Sequence, residues 1–466
     1  MKNNTSGNSS EPTSTIPNGK TEETETSENG TQPQKTGFWT ALRTVLNYRS
    51  YSVYLVTSWI LGIFGIIIDW YLMLYLRDLL LNYILIGILF TLYMILELST
   101  RFFGGYVGDN YNRKWLSVLT MLVSGIGMFT FAIANSFILL IAACAILASS
   151  TLFASGSTSY IYENIPREHS GLAMGVFQTS SAFGLIGLAI VTWLIGTGTV
   201  FVDAIKFMFF VGGFCYIAAA LIRAAFLAPA AKIERKNRNK NTFYDFFQQN
   251  THAFRLLITI LPVFLMILLL DACSDGFYRF TIMFYLNETL AFPIDAISIM
   301  LIIVLAVSVP LSITVGGFFD RYGTRRTILL VYSVMPICLI LLIIAPMIPY
   351  WLPSSIVLSI LATFPFLQPL LTTAFLAMAM KYINDILWMT LILTYLRRAL
   401  PRTETAKMLS IFMIVIMLAF IITPIPAGIL YTFFGAIPIL YIALAINLLI
   451  LAIMSVRNIE PKPLPE

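Results

Sequence analysis

Runs of about 20 apolar residues, each long enough to cross roughly 30 Å of hydrocarbon, recur along the chain between short polar stretches. The chain opens on residues 1–37, a tail of Ser, Thr, Asn, Gly and Glu with too few apolar side chains to order itself. An amphipathic lead-in over 38–48 follows, and the pattern then predicts membrane helices near 52–76, 83–107, 115–134, 137–160, 171–195 and 201–226. A basic stretch containing Lys232, Arg235, Lys236, Arg238 and Lys240 interrupts the apolar pattern. Six more helices are predicted near 254–286, 296–319, 327–345, 372–396, 408–431 and 437–456. The expected fold class is therefore an all-α membrane protein of twelve transmembrane helices. It divides into a cytoplasmic tail over 1–37, a six-helix half over 38–228, a linker over 229–252, a second six-helix half over 253–457 and a short tail over 458–466. No basic segment followed by a short apolar core leads the chain, so the first membrane helix is expected to direct insertion itself.

Composition removes the soluble alternatives. Hydrophobic residues make up 58% and charged residues 11%, with a mean hydropathy of +0.83. A water-soluble surface of this size needs more charge than that. The net charge of +6 does not point to nucleic acid, because Arg113, Lys114, Arg167, the central stretch, Arg325, Arg326, Arg397, Arg398, Arg402 and Arg457 occupy alternate loops. By the positive-inside rule those loops, the linker and both termini are expected in the cytoplasm of a multi-pass protein of the cell membrane. Apolar residues also fill 347–371, between the ninth and tenth helices, where Pro349, Pro353, Pro365 and Pro369 break the run. A single crossing there would put Arg325 and Arg397 on opposite faces, so the segment is expected to be a re-entrant or interfacial insertion outside. Cys144, Cys215, Cys273 and Cys338 stand singly in apolar segments, without the spacing of a disulfide or metal set. No metal or cofactor is expected.

Internal repetition is the strongest pattern in the chain. Gly105-Tyr-Val-Gly-Asp109-Asn-Tyr-Asn-Arg113-Lys114 follows the second helix, and Gly316-Gly-Phe-Phe-Asp320-Arg321-Tyr-Gly323-Thr-Arg325-Arg326 follows the eighth, roughly 211 residues later. Tyr75-Leu76-Arg77-Asp78 ends the first helix and Tyr285-Leu286-Asn287-Glu288 ends the seventh. The halves thus read as parallel repeats. The paired loops closely resemble the G-x-x-x-D-R-x-G-R-R signature of the major facilitator superfamily. The second copy matches well, whereas the first has Asn110 for the arginine and Asn112 for the glycine. The resemblance spans about 38–457 and implies a transporter whose first, fourth, seventh and tenth helices line a central cavity. The Gly-Pro of antiporter fifth helices is missing, although Gly175 and Gly184 are present. Physically, Asp109 and Asp320 lie near the starts of the fifth and eleventh helices, whose N-termini carry partial positive charge. There they are expected to act as cytoplasmic latches, with Arg113, Lys114, Arg321, Arg325 and Arg326 holding them in place.

Eight ionisable residues interrupt the spans: Asp69, Glu97, Arg101, Asp271, Asp275, Arg279, Lys381 and Asp385. At about 3 kcal/mol each, uncompensated, they would cost roughly 20 kcal/mol, more than ordinary folding stability. They are expected to face one another, water or substrate. Glu97 with Arg101, Asp275 with Arg279 and Lys381 with Asp385 are spaced to pair along their own helices. Asp69 and Asp271 have no such cation, and a carboxylate in low dielectric exchanges its proton more readily at working pH. They are the candidates for proton coupling. The repeat also sets Asp69 opposite Arg279, since both precede their Tyr-Leu pair by the same interval, so an ion pair between the halves is the alternative. Trp70, Tyr71, Tyr278, Tyr382, Asn384 and Trp388 lie near these charges as candidate cargo contacts.

The function expected is secondary active transport of a small charged or zwitterionic solute by alternating access, as proton-coupled symport by a monomer in the lipid bilayer. A proton-coupled antiporter exporting drugs or metabolites is the first alternative. A transporter-like sensor is the second, and it lacks a visible soluble output domain. An enzyme is not expected, because the spans contain neither a nucleophile-base set nor a metal cluster. Asn287-Glu288-Thr289 is a sequon facing outward.

Overall fold

In a computed structural model the apolar runs are helices, as hydrocarbon demands of any segment that must satisfy its own backbone. The structure describes residues 38–164, 176–177, 179–229, 248, 251, 254–255, 258–314, 324–399 and 405–457. Before the linker come α1 (Phe38–Asn47), α2 (Arg49–Leu80), α3 (Tyr83–Asn110), α4 (Arg113–Ile133), α5 (Phe137–Asn164), a 3-10 turn (Thr179–Phe183), α6 (Gly184–Gly196) and α7 (Phe201–Phe226). After it come α8 (Pro262–Phe284) with a π turn (Tyr285–Thr289), α9 (Ile294–Thr314), α10 (Thr324–Ile344), α11 (Ser354–Thr363), a 3-10 turn (Pro365–Leu371), α12 (Thr373–Ala399), α13 (Thr405–Ile422), α14 (Pro424–Phe434) and α15 (Ala436–Val456). Among the described residues, nine helices are long and apolar enough to cross a membrane. Pro262–Phe284 carries Asp271, Asp275 and Arg279, which dilute its hydropathy.

Local chemistry sets the ends. The turn from α2 to α3 takes two residues: Leu81 adopts the left-handed φ of 53° and donates to Arg77 O at 2.8 Å, and Asn82 Oδ1 caps α3 by accepting from Ile84 N (2.9 Å) and Leu85 N (3.2 Å). Two expected helices are interrupted at prolines, and the one expected over 171–195 runs, in its described part, through the 3-10 turn Thr179–Phe183 before α6. The helix expected over 408–431 breaks at Thr423, where Pro424 opens α14, because proline removes a donor and its ring clashes with the preceding turn. The helix expected over 254–286 breaks at Leu261, just before Pro262, for the same reason. Between α10 and α12, Trp351 N donates to Leu371 O (3.3 Å) and Thr373 N to Pro349 O (2.9 Å), closing the neck of a projection that holds α11.

Packing is organised by which helices meet. Helices before the linker pack α4 against α5 and α7, and α3 against α5; those after it pack α8 with α15 and α10 with α12. The groups meet through α3 with α13 and α14, α6 with α9, and α2 with α8. The largest buried cluster draws on both groups, joining Tyr71, Leu74 and Tyr75 to Met283, Phe284, Leu286 and Tyr431. It lies towards the face remote from the chain termini. The clusters nearer the terminal face stay within one group each, around Tyr51, Tyr54 and Tyr160 in the first and Phe264, Tyr332 and Phe412 in the second. Among the described residues, then, the groups are sealed together at the far face.

The seal depends on close approach and on one carboxylate. A Cβ on Gly87 would lie 2.5 Å from Pro424 O, and one on Gly428 2.5 Å from Tyr83 O, so α3 and α14 touch backbone to backbone. Glu288 accepts from Tyr83 Oη (2.7 Å), Tyr431 Oη (2.7 Å) and Arg77 Nη1 (3.1 Å). Arg77 also bonds Asn287 Oδ1 at 2.5 Å and Asp78 at 2.7 Å. Asn287 Nδ2, the atom a glycan would use, donates to Phe292 O at 2.9 Å and is engaged.

A second ordering element lies inside the first group. Arg223, 2% exposed, donates to Thr57 Oγ1 (2.8 Å), Ser117 Oγ (2.8 Å) and Ser58 Oγ (2.9 Å), with its guanidinium 4.1 Å from the Tyr54 ring centroid. It ties α2, α4 and α7 together, and no carboxylate bonds it among the described residues. Replacing Arg223 by Met should lower stability by about 2 kcal/mol, read as a lower Tm in detergent. Arg223→Lys should recover only part, because an ammonium lacks the planar fork; an unchanged Tm in both variants would show that the network contributes nothing. At the far face, Gly428→Val should pry α14 from α3. Cys introduced at buried Leu286, with the four native cysteines changed to Ala, should then react severalfold faster with a polar thiol reagent. Equal rates with and without Gly428→Val would contradict the seal.

Candidate functional site

Asp271, Asp275 and Arg279 recur every four residues on α8, and Lys381, Asp385 and Trp388 do nearly so on α12, so each helix turns one charged face inward. Lys381, 4% exposed, donates to Asp275 Oδ1 (2.6 Å) and to both oxygens of Asp385 (2.9 and 2.8 Å). Its ammonium also stands 4.4 Å from the Tyr278 ring centroid. The pairing of Asp275 with Arg279 expected from spacing is not made. Asp275 turns instead to Lys381 on another helix, where one ammonium serves two carboxylates.

Asp271 is not isolated either. Trp388 Nε1 donates to its Oδ2 at 2.7 Å, and Tyr332 Oη lies 2.9 Å from its Oδ1. The same Tyr332 Oη lies 2.8 Å from Asn447 Oδ1. Asn447 Nδ2 donates to Ala443 O (2.8 Å) and Ser274 Oγ (2.6 Å), and this fixes its oxygen towards the tyrosine. A phenol has one proton to donate. It cannot satisfy both Asn447 Oδ1 and an ionised Asp271, whereas a protonated Asp271 donating to Tyr332 satisfies every atom in the chain. Tyr332, Asn447 and Ser274 carried no sequence signal, because a single polar residue in an apolar helix has no pattern. Arg223 was missed for the opposite reason: near a helix end it resembles a loop charge.

Before the linker, Glu97 accepts from Arg101 at 2.9 and 2.5 Å along α3, as the spacing suggests. Asp69 stands in the middle of α2, deep between the two groups, yet is exposed. It makes no hydrogen bond or ion pair among the described residues; the charges acting on it are Arg279, attractive, and Glu97, repulsive. Arg279 is likewise exposed, with its guanidinium 5.3 Å from the Phe420 ring centroid. The direct Asp69–Arg279 ion pair weighed from the repeat is therefore not formed. Both side chains are solvent-accessible and act on each other electrostatically, and next to Asp69 the Trp70 ring lies 6.0 Å from that of Tyr382 between centroids. Tyr71 bonds Ser298 of α9. Asn384 is 2% exposed and neither end of its amide has a partner among the described residues, which leaves a buried amide unsatisfied there.

The loop signature is only partly visible. Gly105 faces open space on α3, Asp109 ends that helix, and Arg113 and Lys114 open α4 behind an Asn112 cap at 3.0 Å. Gly316, Asp320, Arg321 and Gly323 lie outside the described residues, and of Asp109, Arg325 and Arg326 only the backbone is described. Tyr75 and Tyr285, equivalent in the repeat, make equivalent bonds: Tyr75 Oη donates to Phe131 O (2.8 Å) and Tyr285 Oη to Leu342 O (2.5 Å).

A family model described as Major Facilitator Superfamily matches residues 50–386. No curated protein matches the chain. Among solved structures, a variant of the nucleoside transporter NupG superposes with a TM-score of 0.68 at 14% identity, over 87% of this chain and 99% of that one. The inward-open xylose transporter XylE from E. coli gives 0.62 at 15%, over 87% and 95%. A bacterial homologue of the human lysosomal transporter Spinster, inward-facing and unoccupied, gives 0.58 at 14%, over 88% and 94%. With repeat, fold and family model in agreement, the chain belongs to the major facilitator superfamily and is an integral membrane protein built on a transporter fold.

Proposed function

We propose that this protein is a secondary active transporter that carries a small charged or zwitterionic solute by alternating access, coupled to protons as a symporter. The reading takes twelve membrane helices in two six-helix halves, 38–228 and 253–457, joined by the linker 229–252, with both termini cytoplasmic in the cell membrane. The segment 347–371 is then an insertion on the outer side, and the protein works as a monomer in lipid. The seal by Gly87, Gly428 and Glu288 closes the outer face, while Asp69 and Arg279 stay accessible to solvent, which corresponds to an inward-facing carrier. Rocking the halves would break that seal and engage the cytoplasmic latches at Asp109 and Asp320.

The observation that supports proton coupling is that Tyr332 Oη, with one proton, stands between two acceptors, Asn447 Oδ1 and Asp271 Oδ1, which favours an Asp271 that carries a proton of its own. Asp271 sits one turn from the Lys381–Asp275–Asp385 cluster, so gaining or losing that proton changes the field on the cavity side of the second half. Cargo and proton are linked if closure around cargo requires the neutral form.

Proteoliposomes holding a pH-sensitive dye test this with pools of amino acids, organic acids, sugars and cationic dyes. One pool should drive proton entry with cargo entry. Asp271→Asn, a mimic of the neutral form, should abolish that proton movement while cargo-for-cargo exchange continues. Proton exit on cargo entry would make the protein an antiporter. Undiminished proton movement in Asp271→Asn would remove Asp271 from the coupling role.

A further inference from the structure

Helices α2 and α8 converge at the far face, where the repeat-related Arg77 and Asn287 touch at 2.5 Å. Two residues that are equivalent under the repeat and in contact with each other mark where its pseudo-axis passes. Two turns or so back along the same helices, at the next pair of equivalent places, stand Asp69 and Arg279. Each side chain is exposed although mid-helix, neither has an ion pair or hydrogen bond among the described residues, and each lies within the other's field.

The other ionisable groups around this space are committed. Glu97 is held by Arg101, Asp275 and Asp385 by Lys381, and Asp271 by Trp388 and Tyr332. What remains without a hydrogen bond or ion pair is one carboxylate on the first group of helices and one guanidinium on the second, whose field reaches Asp69 as well as Asp275 and Asp385.

Building on the transporter reading above, we propose that the cargo is a small zwitterion carrying an ammonium and a carboxylate, which bridges Asp69 and Arg279. A planar guanidinium takes a carboxylate through two parallel hydrogen bonds, and a carboxylate takes an ammonium. Occlusion strips water from both protein charges, and a desolvated charge without a partner is strongly disfavoured. A cation alone would leave Arg279 unpaired, an anion alone would leave Asp69 unpaired, and a neutral polyol would leave both. A zwitterion pairs both without changing the cavity's net charge. It also joins the two groups of helices through itself, so loading favours closure. With no cargo, the same two side chains can close on each other, which lets an empty carrier return.

The test uses the full chain, in detergent for thermal shifts and in proteoliposomes for counterflow. The probes are an equimolar mixture of L-amino acids, the same amino acids as carboxamides, the same as N-acetyl derivatives, and uridine and xylose. The free amino acids should raise Tm and exchange, with both blocked sets at least tenfold weaker. Asp69→Asn should abolish the preference over the N-acetyl set, and Arg279→Gln the preference over the carboxamides. The doubly reversed chain, Asp69→Arg with Arg279→Asp, should still favour the free amino acids, which guards against single variants that merely misfold. Uridine or xylose exchanging while amino acids do not would overturn the zwitterion and leave the carrier intact. Equal binding of either blocked set would also overturn it. No binding and no exchange with any probe would overturn the zwitterion and count against the carrier as well.

Discussion

An ionised side chain inside a bilayer has to find its countercharge within the protein or keep its water, because hydrocarbon offers neither. The arrangement of this molecule's interior answers that constraint in three ways. Lys381 sits among Asp275, Asp385 and the face of Tyr278, a dense cluster that holds α8 to α12. Arg223 is dissolved in hydroxyls and carbonyls from α2 and α4, a neutral shell that replaces its hydration. Asp69 and Arg279 stay exposed to solvent. The first two solutions stiffen the helices they join, and the third leaves a place where something else can supply the missing charge.

Those solutions divide along the axis of the helix bundle. At the far face the groups of helices are joined by backbone contact at Gly87 and Gly428 and by Glu288, which gathers hydroxyls from α3 and α14 and the guanidinium of α2. Such contacts are short-range, so a small rotation loses them together. Towards the terminal face each group has its own apolar cluster and can move as a body. Between the two levels lie the open charges of Asp69 and Arg279, one on each group.

Much of this was legible along the chain. Apolar runs of bilayer length, basic residues in alternate loops and a repeated loop signature were enough for an all-helical membrane protein of the major facilitator superfamily, and the family model bears that out. Spacing of four on one helix was enough for Glu97 with Arg101 and for Lys381 with Asp385, since neighbours on a single helix are set by its own geometry. Prolines at 262 and 424 were visible too, but the apolar pattern runs straight through them, so the breaks they impose were not read from it.

The sequence by itself thus settled that the apolar spans had to be helical, because every span must satisfy its backbone within its own helix. It could not settle which cation Asp275 would choose, that Asp271 would meet a tyrosine and a tryptophan from two other helices, or that Asp69 and Arg279 would act on each other without pairing. Those outcomes depend on the rotation and crossing of helices far apart in the chain. A turn of a helix by one residue, about 100°, exchanges a buried partner for lipid or water, and only the packing of all the helices together decides it.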